Sequence, residues 1–81
     1  MSALYECRTQ SLVVTVGSVD LDRKTVTGWK SNRLRRLEAP WTVWFLDDGT
    51  PLLRNGAGER HPKAVIRAAS AVWGEAQRSQ V

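Results

Sequence analysis

Leu12, Val13, Val14, Thr15 and Val16 form a mostly β-branched run, the composition that a pleated and largely buried strand favours. Gly17 and Ser18 punctuate it, and a shorter strand is expected before it at Leu4 to Thr9. Val19 to Trp29 reads as a hairpin. A turn at Arg23-Lys24 would set Asp22 opposite Thr25, Leu21 opposite Val26 and Asp20 opposite Thr27, with Leu21 and Val26 on one face. Arg-Lys is not a favoured two-residue turn, so a longer loop with a shifted register stays open. Trp41 to Leu46 is apolar on both alternating faces, which suggests a central strand. Asp48-Gly49 follows as a hairpin signal, because a tight turn needs positive φ there. It implies Phe45 opposite Leu52 and Leu46 opposite Pro51, with the proline making Pro51 to Arg54 an edge strand.

Beyond the Asn55-Gly56-Ala57-Gly58 break, Val65, Ile66, Ala69, Val72, Trp73 and Ala76 recur at helical spacing and predict one apolar stripe from about Pro62 to about Gln77. Pro62 suits the first helical position, and Gly74 weakens the last turns. Ser31 to Leu37 reads either as one or two helical turns, bringing Leu34 and Leu37 together before Pro40, or as a basic loop. These elements predict an α+β domain: a small antiparallel sheet of four to five strands with a C-terminal amphipathic helix on one face.

With 81 residues, 42% hydrophobic and 25% charged, the chain has the apolar content of one small folded domain and too little length for a second core. No apolar run is long enough to span a bilayer, and Met1 to Glu6 lacks the basic-then-apolar build of a secretory signal. The lone Cys7 cannot close an intrachain disulfide. A cytoplasmic protein without membrane partners is the resulting expectation.

Charge changes the picture more. The net charge is +4, and it is segregated: Met1 to Asp22 holds one base (Arg8) against Glu6, Asp20 and Asp22, whereas Arg23 to Arg36 holds six bases and no acid. That block, with Lys30, Arg33, Arg35 and Arg36, is a candidate contact surface, since arginine forks suit phosphate or carboxylate. A solvated basic loop accounts for the same residues. A second candidate is the helix start, where Arg60, Lys63 and Arg67 gather although the helix dipole favours acids there. A bound anion or a tolerated small penalty explains them equally. Trp73 and Trp41 belong on the core faces, while Trp44 projects the other way, to stack on a base or to meet a partner if the helix covers one sheet face only.

Catalytic inventory is thin. With His61 the sole histidine and Cys7 the sole cysteine, the usual zinc ligand sets cannot be assembled, and no catalytic motif accompanies His61. Asp47 and Asp48 precede Gly49 between two strands and are turn residues first. The expectation is a protein that is not an enzyme and needs no cofactor or metal.

The run from Trp41 to Ala76 resembles in layout the double-stranded-RNA-binding domain, with Gly56, Gly58, Arg60, Lys63 and Arg67 on ground comparable to its glycine loop and basic helix start. It also resembles the arm-site-binding domain of phage-type integrases, a small sheet with a C-terminal helix. The chain departs from the first in lacking an N-terminal helix and in carrying Pro62, so no family is assigned. Two functions stand side by side. One is a nucleic-acid-binding module, for DNA or RNA, using Lys30, Arg33, Arg35, Arg36, Trp44, Arg60, Lys63 and Arg67. The other is a small interaction or inhibitor protein of the phage anti-defence type, docking those residues on an acidic protein surface. Either is compatible with a homo-oligomer.

Overall fold

A computed structural model describes residues 4–34 and 37–79. Strands β1 (Tyr5–Arg8), β2 (Leu12–Asp20), β3 (Thr25–Asn32) and β4 (Glu38–Trp44) form an antiparallel sheet in the order β1-β2-β3-β4. Helix α1 (Lys63–Arg78) crosses one face of it, chiefly over β2 with β1 and β3 at its sides. The expected α+β class is what the chain adopts.

The core lies between helix and sheet. Val14, Val16, Val26, Trp41, Val43 and Phe45 meet Val65, Ala68, Ala69, Val72 and Trp73. Phe45 and Trp73 stack with ring centroids 4.7 Å apart. The buried helix stripe includes Ala68 and leaves Ile66 only partly covered, a small rotation from the expected face. Pro62 is the N-cap rather than the first helical residue, with ψ at 148°.

Several local expectations are corrected. β2 does not stop at Val16 but continues through Gly17, where the pairing with β3 is irregular between Val16 and Ser18. The β2–β3 hairpin pairs Asp20 with Thr25, Val19 with Val26 and Ser18 with Thr27, around a turn of residues 21–24 ending in left-handed Lys24 (φ 58°). Asp20 Oδ1 accepts the Arg23 amide inside this turn. The slide is two residues from the tightest register, so Val26 keeps its face.

β4 begins at Glu38, earlier than expected, and is an edge strand rather than a central one. Pro40 lies within it and has no amide to give an outer neighbour. The Asp48-Gly49 turn closes with one more residue than the tightest hairpin. The Leu46 amide donates to Thr50 O, the Gly49 amide to Leu46 O, and Gly49 has φ +89°. This is the three-residue loop with glycine at its left-handed position. Phe45 consequently faces Pro51, not Leu52, and no strand forms over 51–54, where only two isolated bridges occur, Phe45 with Pro51 and Arg54 with Arg60. Ser31 and Asn32 finish β3, and Leu34 and Leu37 are exposed rather than paired on a helical turn.

Candidate nucleic-acid interface

The charged side chains sort into two sets. Arg8 pairs with Glu6, Arg23 with Asp20, Lys24 with Asp47 and Arg78 with Glu75. Lys30, Arg33, Arg54, Arg60, Lys63 and Arg67 have no carboxylate partner among the described residues. Arg35 and Arg36 lie outside the described residues.

Three of the unpaired bases converge. Arg60, Lys63 and Arg67 line a surface cavity of 710 Å³ together with Leu53, His61, Pro62 and Ile66. The cavity lies at the start of α1, whose N-cap makes no side-chain hydrogen bond and whose first turn holds no acid. The Val65 and Ile66 amides both turn back to Pro62 O. Positive dipole end and positive side chains therefore share one place with nothing negative in the first turn.

The residues leading into the helix are tightly fixed. Asn55 Oδ1 accepts the amides of Ala57 and Glu59, the Gly58 amide donates to Asn55 O, and the Arg54 guanidinium donates to Gly58 O. The His61 amide then donates to Leu53 O. A glycine-bearing loop closed by its own asparagine delivers Arg60 and His61 in a set position.

Lys30 and Trp44 belong to a neighbouring cavity of 310 Å³, shared with Trp41, Thr42, Asn55, Gly56 and His61. Trp44 is 39% exposed, on the sheet face that α1 leaves open. His61 lines both cavities and joins them. Arg33 is held elsewhere, its guanidinium donating to Thr9 O and its amide to Ser11 O beside the β1–β2 turn. The helix-start bases and the Lys30–Trp44 pair are thus brought together; Arg33 joins neither cavity.

Sequence reasoning placed His61 with Arg60 and Lys63 at the helix start, as a group facing out, and did not foresee its burial. It is 8% exposed, and its Nε2 is buried without a hydrogen-bond partner. Burial, reinforced by the nearby Lys30 charge, pushes its pKa below the ordinary histidine value, against a hydrogen bond to the Thr42 backbone that favours the charged ring. Nε2 has no partner, and in a neutral ring with its proton on Nδ1 it would be an unused acceptor. The only sequence hint was a histidine next to the helix-starting proline. Asp47 and Asp48 act as turn residues: Asp48 Oδ1 accepts the Thr50 amide, and the Thr50 hydroxyl and amide hold its carboxyl below the usual carboxylate range.

Among the described residues no cluster of His, Cys, Asp and Glu is placed to hold a metal ion, and no helix is long and apolar enough to cross a membrane. Comparison of the chain with protein-family models, with curated proteins and with solved structures finds no match.

Proposed function

We propose that the protein is a non-catalytic nucleic-acid-binding module. Arg60, Lys63 and Arg67 contact phosphates at the start of α1, Lys30 and Trp44 receive the adjoining part of the strand, and Arg33, Arg35 and Arg36 are further candidate phosphate contacts by their charge. The observation that carries the reading is the convergence of Arg60, Lys63 and Arg67, none with a carboxylate partner among the described residues, around a helix end with no side-chain cap and no acid in its first turn. Such an arrangement costs stability in the free protein and is repaid when a polyanion arrives.

The test is a salt titration of binding to mixed-sequence duplex DNA, duplex RNA and single strands. Log affinity falls linearly with log salt, and Lys63→Ala makes the duplex-DNA slope shallower by about 0.9. No binding to any of the three at about 50 mM salt, where non-specific contacts are strong, sinks the proposal.

One observation favours a second reading. Leu34, 90% exposed, and the exposed Leu37 flank Arg35 and Arg36 in the sequence, and leucines beside arginines suit docking on an acidic protein surface better than a phosphate backbone. Binding to an acidic protein partner with no binding to any nucleic acid, lost in Leu34→Asp, would replace the nucleic-acid reading with this one.

A further inference from the structure

The 310 Å³ cavity at the edge of β4 is lined by two residues that each carry a buried polar atom without a partner. Among the described residues the buried side-chain nitrogens Trp41 Nε1, His61 Nε2 and Trp73 Nε1 lack a partner, and the first two belong to residues lining this cavity. Both residues are more than nine-tenths buried. An unpaired buried polar atom is costly, and two beside one cavity call for a shared explanation. The remaining wall completes a pattern: Lys30, an ammonium without a carboxylate partner among the described residues, and Trp44, an aromatic ring half open to solvent. The ring sits close to the loop, with a Cβ built on Gly56 lying 3.9 Å from Trp44 Cη2. That loop is the one locked by Asn55, so this wall is formed before anything binds.

We propose that this cavity receives a single unpaired nucleobase, stacked on Trp44, with its polar edge toward Trp41, His61 and Lys30. The inference rests on the nucleic-acid reading above and specifies which form of nucleic acid is preferred. Its volume is at the small end of ligand cavities, about 300–1,000 Å³, which suits one ring system rather than a whole nucleotide. The phosphates then fall to the adjoining cavity of Arg60, Lys63 and Arg67, reached across the shared His61. The polar complement is selective. Trp41 Nε1–H and Lys30 donate, and neutral His61 Nε2 accepts, which matches a ring N–H beside carbonyls. Guanine, uracil and thymine have that edge; adenine has neither a ring N–H there nor a carbonyl. A base held inside a duplex cannot enter, so a single strand gains a contact that duplex lacks.

The experiment compares ten-residue oligo-dT, ten-residue oligo-dA and a mixed-sequence duplex at one salt concentration, with the indole N–H signals followed in ¹H–¹⁵N spectra. Oligo-dT is expected to bind more tightly than the other two and to move the Trp41 indole signal. Trp44→Ala, at an exposed position, should cut the oligo-dT to duplex affinity ratio by roughly 5- to 150-fold, the usual range for losing one stacked base. Lys30→Met should lower the same ratio, whereas Lys63→Ala weakens both ligands alike. Equal oligo-dT and duplex affinities with an unmoved Trp41 signal would overturn the base pocket while leaving phosphate binding intact. Equal oligo-dT and oligo-dA affinities would overturn it as well, since the edge would not be read. Absence of binding to every ligand would remove this proposal together with the reading it rests on.

Discussion

Gly28 has no room for a side chain. A Cβ there would lie 2.0 Å from the Thr15 carbonyl oxygen and 2.7 Å from Trp41 Cζ2, because the Trp41 ring lies across this position from the adjacent strand. Gly28→Ala must displace backbone as well as an indole, and the expected cost is at or above the upper end of about 1–3 kcal/mol for overpacking. For a domain of this length each kcal/mol lowers Tm by about 4–8 °C, so a thermal melt decides the matter; an unchanged Tm would mean that Trp41 does not lie over β3. His61 makes a second test possible. Its folded pKa is below its unfolded value, so the unfolded chain binds the extra proton first. His61 therefore contributes stability in full above about pH 6.5 and loses it as pH falls from there toward the folded pKa. Tm measured from pH 7.5 to 5 should fall less in His61→Asn, whose amide can still donate to the Thr42 carbonyl, than in the parent. Equal slopes would place His61 in solvent. Neither role was legible in the sequence. Gly28 looks like any strand glycine until its register partner is known, and the surroundings of His61 include Lys30 and Thr42, both distant along the chain.

The elements were more legible than their pairings. Helix α1 announces itself because Val65, Ala69, Val72 and Trp73 repeat at its period, a pattern that survives an error of one residue at either end. Hairpin registers have no such redundancy. Arg23-Lys24 does not say whether the turn is two residues or the four of 21–24, and the outcome depends on Lys24 accepting a left-handed φ while its ammonium pairs with Asp47 from the next hairpin. The Asp48-Gly49 signal correctly marked a turn. A one-residue difference in loop length nevertheless moved Pro51 opposite Phe45 and removed the expected edge strand. The helix also carries a trade between stability and binding. Lys63 is its first residue, exposed, where the dipole disfavours a cation by about 0.3–1 kcal/mol and favours an acid by a similar amount. Lys63→Glu should therefore raise Tm by a few degrees, about 4–8 °C per kcal/mol gained, while weakening polyanion binding. A variant that is less stable than the parent would show that Lys63 makes a structural contact. One that is more stable and binds as well would remove the helix start from the interface.

At the scale of the whole molecule the question is whether affinity follows net charge or the place where charge is left unpaired. The sequence showed a basic middle and an acidic beginning, but not which bases would be neutralised. That depends on contacts such as Lys24 with Asp47, made when two hairpins close against each other. Folding sorts the ten bases among the described residues into two populations: the paired Arg8, Arg23 and Arg78 belong to the first, the unpaired Arg60, Lys63 and Arg67 to the second. Replacing either trio by alanine removes the same three charges. Exposed ion pairs contribute only about 0–1 kcal/mol, so the first replacement leaves the fold standing and serves as a matched control. If attraction is a property of net charge alone, both triple variants weaken duplex binding equally and change the salt slope equally. If the helix start is the contact, counterion release is lost only there. The Arg60, Lys63 and Arg67 triple should then make the slope of log affinity against log salt shallower by about 2.7, three phosphate contacts at about 0.9 each, while the Arg8, Arg23 and Arg78 triple keeps the parent slope. Parallel salt titrations of the two variants measure this directly. Equal slopes in the two would assign the binding to diffuse charge and leave the convergence of Arg60, Lys63 and Arg67 without a functional role.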